Sequence, residues 1–343
     1  MRTDISKFVK PWIKEVKDYT PGEWKKGYIK LASNENNYGP TLKVVRAVEE
    51  TKNLVHIYPH RDYDVRCKIA GYLDLKPENI IVGNGSDEIM DFILKTFKGS
   101  VMSFYPTYLE YEIFVKALGE QYLSVNLNKD FSFPIDKFIS KSKDANIIFL
   151  GNPNNPTGTV IPEEDIKRIL NEGKITVVDE AYYEFYGKTI IPWIKEYNNL
   201  IVLRTFAKAF GMAGLRVGYA VSDSEIIELL NKVKPPFNVN SIAQEAVFGA
   251  IDDYRAMEMI VEKIKRDREI LYKELSRKYK VVKSCANFLL VDVSPIKADD
   301  FFNEMLKYGI IIRKFGKFEG FPGEYVRITV GTWGENQKLI KAL

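Results

Sequence analysis

The chain has 343 residues, with 50 Lys and Arg against 46 Asp and Glu, giving a formal net charge of +4 at pH 7. That length allows one large or two modest domains with a sizeable core, and the small charge gives no reason to expect nucleic acid or an anionic membrane as partner. Cys67 and Cys285 stand far apart in no metal-ligand spacing, and His56 and His60 alone cannot complete a zinc site, so no metal is expected and a reducing, cytoplasmic setting is.

The chain opens with Arg2, Asp4 and Lys7 and no apolar segment, against a secretory signal, and no apolar run approaches membrane-spanning length. Short β-branched runs then alternate with amphipathic stretches. A strand is predicted at 80–82 before a helix at 87–97, and a strand at 100–104 before a helix at 108–118. Further strands are predicted at 122–125, 146–150, 175–178 and 200–203. Continuously apolar strands separated by helices predict an α/β domain with a mostly parallel sheet covered on both faces. After Pro235-Pro236 the pattern changes to one long charged helical stretch over 241–278, then short strands at 287–293, 310–313 and 325–330. This predicts a second, smaller α+β domain joined by the N-terminal arm. The expected divisions are an arm over 1–40, a large domain over 41–236 and a small domain over 237–343.

Ligands of open α/β sheets bind beyond the carboxyl ends of the strands, and polar residues gather there. Lys208 lies just past the run 200–203, in apolar surroundings that lower a lysine's pKa and make it nucleophilic toward a carbonyl. Arg216, eight residues on, offers charge to a phosphate. Pyridoxal phosphate carries both groups. Lys208 alone reads more readily as a solvated loop cation. Val82-Gly83-Asn84-Gly85-Ser86-Asp87-Glu88 is a strand, a glycine turn and a helix start, able to bind an anion on free amides, or simply an N-cap. Asn152-Pro153-Asn154-Asn155-Pro156-Thr157-Gly158 is a rigid turn at a strand end. Asp179 directly follows a buried strand, where it can meet a protonated pyridine nitrogen, pair with an arginine or cap the strand end.

Taken together, these motifs resemble those of the fold-type I pyridoxal phosphate (PLP)-dependent aminotransferases, and most closely the histidinol-phosphate aminotransferase family. The likeness runs almost the full chain: Tyr19-Thr20-Pro21-Gly22, Leu31-Ala32-Ser33-Asn34-Glu35-Asn36-Asn37-Tyr38-Gly39-Pro40, Tyr58-Pro59, Tyr105-Pro106-Thr107-Tyr108, the motifs above, and Val326-Arg327-Ile328-Thr329. The resemblance implies that Lys208 forms the Schiff base and shuttles the proton, Asp179 meets the pyridine nitrogen, and Asn155 and Tyr182 bond the ring oxygen. It implies that Tyr108 stacks on the ring while Ser86, Asp87, Thr205 and Arg216 hold the phosphate. Tyr58 would reach the cofactor of the neighbouring subunit, making a homodimer with shared active sites, to which the arm would contribute contacts. Arg327 and Arg313, helped by Tyr19, would bind the phosphate of histidinol phosphate and, in turn, a carboxylate of glutamate or 2-oxoglutarate. Asn34 and Glu35 would line the imidazole pocket. Ala207 departs from the family, which has a hydroxyl residue there, and predicts one phosphate contact fewer. An aromatic or broad-range aminotransferase, a threonine-phosphate-type decarboxylase and a non-catalytic sensor of the same fold are the rival expectations.

Overall fold

The computed structural model describes residues 2–16, 22 and 24–343. The first strand, β1 (Ile29–Leu31), belongs to the smaller of two sheets. The larger sheet contains β2 (Ile80–Gly83), β3 (Val101–Tyr105), β4 (Tyr122–Asn126), β5 (Ile147–Gly151), β6 (Ile175–Asp179), β7 (Leu200–Thr205) and β8 (Gly218–Ser222), ordered β2-β8-β7-β6-β5-β3-β4. Strands β3 to β7 pair in parallel, and β8 runs against both its neighbours. Alternate residues sort onto opposite faces, as the period of two in a strand requires. Met102, Ile148, Leu150, Val178 and Val202 join one apolar cluster, while Val101, Ile147, Phe149, Val177 and Ile201 join another. Both faces are therefore dry, which is why these strands read as unbroken apolar runs rather than alternating ones.

The direction of β8 follows from its connection. Between Thr205 and Gly218 only a short 3-10 turn, Ala213–Leu215, is present. A parallel return needs a crossover, usually a helix, to carry the chain back, so this segment turns directly into an antiparallel neighbour. Lys208 and Arg216 both lie on that connection and are delivered to the same end of the sheet as the carboxyl ends of β5, β6 and β7.

The smaller sheet adds β9 (Lys280–Val281), β10 (Phe288–Asp292), β11 (Ile310–Gly316) and β12 (Tyr325–Thr329), ordered β1-β11-β12-β10-β9. The arm thus joins this sheet through β1, which pairs in parallel with β11, Ile29 opposite Ile310. Arg313 and Arg327 stand directly opposite each other across β11 and β12.

The predicted helical stretch 241–278 is two helices, Ser241–Asp252 and Tyr254–Ser276. Asp253, at φ −122° and ψ 24°, leaves helical geometry between them. The first helix packs on Leu42–Thr51, so closely that a Cβ at Gly249 would lie 2.6 Å from the carbonyl oxygen of Lys43. The chain beyond residue 237 therefore first completes the body around the large sheet, and crosses to the smaller sheet along Tyr254–Ser276. No helix among the described residues is long and apolar enough to cross a membrane.

Candidate active site

A cavity opens between the two sheets, lined by residues from the ends of β2, β5, β6 and β7 and from β11, β12 and the arm. Asp179 closes β6 and is buried. Its Oδ2 accepts the Tyr111 hydroxyl at 2.8 Å and its Oδ1 the Ala181 amide at 3.0 Å. Burial, which penalises a charge in a low-dielectric interior, pushes its carboxyl up to about 6, with these hydrogen bonds pulling the other way.

Lys208 sits three residues past the end of β7, between buried Ala207 and Ala209. Its turn closes with the Gly211 amide donating to the Lys208 carbonyl, and a Cβ at Gly211 would meet backbone atoms of Gly39 at 2.6 Å. The amine donates to the Ser33 carbonyl at 3.2 Å. Desolvation brings it down to about 8, helped by Arg327 and opposed by Asp87 and Glu35. An amine so lowered has a far larger neutral fraction near neutrality than a solvated lysine.

The anion end is built by glycines. Gly85 precedes the helix Ser86–Thr96 at φ 85°. A Cβ there would lie 2.6 Å from Arg216 Nη2, and a Cβ on Gly218 would lie 2.6 Å from the Ser86 amide nitrogen. Only glycine at both places lets a guanidinium close on a helix start. Arg216 pairs with Asp87 at 2.8 Å, and Tyr108 donates to the other Asp87 oxygen at 3.2 Å. The Asn84 amide and the Asn238 side chain both donate to Glu88, at 2.6 and 2.7 Å, which ties the turn down. Thr205 accepts from the Ala207 amide at 3.1 Å, leaving its own hydroxyl hydrogen to donate elsewhere.

Asn155 and Tyr182 complete the lining near Lys208. The neighbouring Asn154 anchors the rigid turn, accepting from Thr107 at 2.7 Å and donating to the Pro106 carbonyl at 3.0 Å. Arg327 Nη1 donates to Asn155, and Nη2 to the Ala32 carbonyl at 2.8 Å. Asn34, at φ 56°, donates from Nδ2 to the Tyr182 hydroxyl at 2.8 Å, while its Oδ1 accepts from Thr329 at 3.1 Å.

The cavity thus gathers Asn34, Ser86, Asp87, Tyr108, Asn155, Asp179, Tyr182, Thr205, Lys208, Arg216, Arg313 and Arg327. Glu35 is not among its lining, and neither is Tyr58, which is expected at the neighbouring subunit's cofactor. Glu35 turns to Lys30, pairing at 2.7 Å, because β1 and the loop after it bring these side chains together. Tyr58 is 74% exposed and stacks on Phe237 at 4.8 Å. Tyr19 lies outside the described residues. Sequence reasoning does not find Tyr111: it is one more aromatic residue on an apolar helix face, and its spacing of one turn from Tyr108 is the only signal.

An amine, a buried acid and a glycine-built anion turn in one cavity suit a phosphorylated aldehyde with a basic aromatic ring. The fit is specific at the phosphate end, where a Cβ at Gly85 would strike the Arg216 guanidinium and one at Gly218 the backbone that starts the helix.

Residues 26–343 match the model of the family described as aminotransferase class I and II. A histidinol-phosphate aminotransferase from Caldanaerobacter subterraneus subsp. tengcongensis is 41% identical over 325 residues, covering 92% of each chain. That of Pyrococcus furiosus is 38% identical over 322 residues, covering 92% of this chain and 91% of its own. Among solved structures, the histidinol-phosphate aminotransferase from Clostridium acetobutylicum superposes with a TM-score of 0.86 at 29% identity, covering 92% of this chain and 97% of that one. The Sinorhizobium meliloti enzyme, solved in complex with pyridoxal-5'-phosphate, shares the fold with a TM-score of 0.88 at 23% identity, covering 98% and 96%.

Proposed function

This chain belongs to the aminotransferase class I and II family, and from that premise we propose that it moves the amino group of L-histidinol phosphate to 2-oxoglutarate, a step of histidine biosynthesis. The products are imidazole acetol phosphate and L-glutamate. The cofactor is pyridoxal 5'-phosphate, which when bound supplies an electron-withdrawing ring and carries the amino group between two half-reactions.

In this proposal the phosphate is held by the amides of Ser86 and Asp87, the Thr205 hydroxyl and Arg216. Asp179 keeps a proton on the ring nitrogen, Tyr108 covers the ring face, and Asn155 and Tyr182 bond the ring oxygen. Asn34 fixes Tyr182 through its own amide. Lys208 is the covalent anchor, and its lowered pKa lets it accept a proton from the substrate Cα and return one within the cavity.

The substrate assignment is carried by one observation: Arg313 and Arg327 are registered opposite each other and both line the cavity. Like charges directly across a sheet cost stability, and a dianionic phosphate offsets that cost better than a single carboxylate does. The two arginines bind the donor's phosphate in one half-reaction and a carboxylate of 2-oxoglutarate in the other. We also propose a homodimer working in the cytoplasm. In support, Ile5, Phe8, Trp24, Val55 and Tyr58 are exposed, and both cysteines are free.

The test compares kcat/KM for histidinol phosphate, phenylalanine, tyrosine and aspartate as donors. Histidinol phosphate is expected to lead by about tenfold or more, because its dianionic phosphate engages both arginines where the other donors bring singly charged carboxylates. Lys208→Ala is expected to abolish turnover with every donor. Parity with phenylalanine would favour a broad-range enzyme, and carbon dioxide release from a phosphoamino acid without 2-oxoglutarate would favour a decarboxylase.

A further inference from the structure

Tyr111 touches Asp179, and the proposed chemistry leaves its presence unexplained. It lies on the helix Glu110–Leu118, fully buried, wedged edge-on to Tyr108 with ring centroids 5.5 Å apart and stacked on Phe149 at 5.1 Å. Its hydroxyl reaches Asp179 Oδ2 at 2.8 Å. Phe149 is on β5, beside the strand that carries Asp179. The ring is therefore fixed on two sides and the hydroxyl has one direction in which to point.

We infer that Tyr111 is a positioning residue: by donating to Asp179 Oδ2 it orients and charges the carboxylate that meets the cofactor's ring nitrogen. The inference rests on the proposed identification of the cavity as a pyridoxal phosphate site. With the Ala181 amide on Oδ1, each carboxylate oxygen holds one fixed donor and keeps a lone pair for a further one. Burial holds the Tyr111 hydroxyl protonated far above the physiological range, so it acts as a permanent donor and never as a base. The other charges bearing on Asp179 are Lys208, which favours its ionised form, and Asp87, which opposes it. Tyr111 also backs Tyr108, so one side chain braces both the residue over the ring and the residue at its nitrogen.

The experiment uses Tyr111→Phe, which removes one oxygen and keeps the packed ring. Wild-type and variant holoenzymes are dialysed against graded pyridoxal phosphate, and against its carbocyclic analogue in which C–H replaces the ring nitrogen. The variant is expected to bind pyridoxal phosphate about tenfold more weakly at pH 7, the scale of one lost hydrogen bond to a charged group. Affinity for the analogue is expected to stay unchanged. The acid limb of pyridoxal phosphate affinity, set in the wild type by a carboxyl near 6, is expected to move toward neutrality. The ratio of the two affinities does not depend on the fraction folded, so a merely structural role would move both ligands together. Equal weakening of both ligands, or none of either, overturns the inference alone. A wild-type protein that binds neither ligand overturns the functional reading and the inference with it.

Discussion

Asp179 shows what the site costs the fold. A carboxyl with an ordinary value of 3.8 is pushed up to about 6 by burial. Its folded-state pKa is raised, so its relative stabilisation is complete below 3.8 and is lost as pH rises through about 6. By linkage the penalty at pH 7 is on the order of 3 kcal/mol. Asp179→Asn, which keeps the size, can accept from the Ala181 amide and donate to the Tyr111 hydroxyl oxygen, and is expected to stabilise the cofactor-free chain by a few kcal/mol at pH 7. The gain should shrink toward zero by pH 4, and cofactor affinity should collapse at the same time. Urea unfolding at the two pH values reads this directly; an equal midpoint for both proteins at pH 7 contradicts it. At this scale the sequence is informative where chemistry and position coincide. Lys208 and Asp179 are charged residues beside apolar strands, an expensive place that asks for a reason, whereas Arg216 stays exposed and pairs with Asp87. Tyr111 carries no such mark, because a tyrosine on an apolar helix face costs nothing until its partner is known. Glu35 pairs with Lys30, a contact set by how β1 leaves the smaller sheet, while its charge still bears on Lys208.

Helices and strands are legible in the sequence as elements and much less so as neighbours. The runs that form β3 to β7 are visible because both faces are buried. β8, opening on Gly218 and holding Tyr219 and Ser222, lacks that signature, and its direction comes from the short connection before it. The stretch 241–278 has helical periodicity throughout, and only the packing of Ser241–Asp252 on Leu42–Thr51 fixes the break at Asp253. Gly249 is the point of closest approach, where an added methyl would meet backbone atoms that cannot swing aside. Gly249→Ala is therefore expected to destabilise by about 1–3 kcal/mol, as overpacking does. Gly71, in the helix Asp62–Leu73, is the opposite case, because a Cβ added there would have nothing within 4 Å. Gly71→Ala should stabilise by about 0.4–1 kcal/mol through the unfolded chain. Opposite signs in denaturant melts support close helix contact as the cause; two losses of equal size would refute it.

At the scale of the molecule, the N-terminal arm is half anchored. The Trp12 indole donates to the Ala117 carbonyl and a Cβ on Gly119 would meet its ring at 2.7 Å, while Ile5 and Phe8 remain 73% and 80% exposed. Val55 and the stacked pair Tyr58 and Phe237 are exposed as well. In the proposed homodimer these apolar groups would lie at the subunit contact, as a self-complementary two-fold pairing is the commonest oligomeric arrangement. If pairing carries Tyr58 into the cavity of the partner subunit, each site draws on both chains. Complementation decides this. Lys208→Ala chains, expected to be inactive, and Tyr58→Ala chains, expected to lose most activity with their phosphate contact, are refolded together. In a mixed dimer one cavity carries both substitutions, and the other combines an intact Lys208 with an intact Tyr58 from the neighbouring chain. Activity in the mixture is then expected to exceed that of either parent severalfold, and sedimentation should report dimers throughout. Were Tyr58 to serve its own chain, every cavity in the mixture would keep one defect, and the mixture would show only the average of its parents.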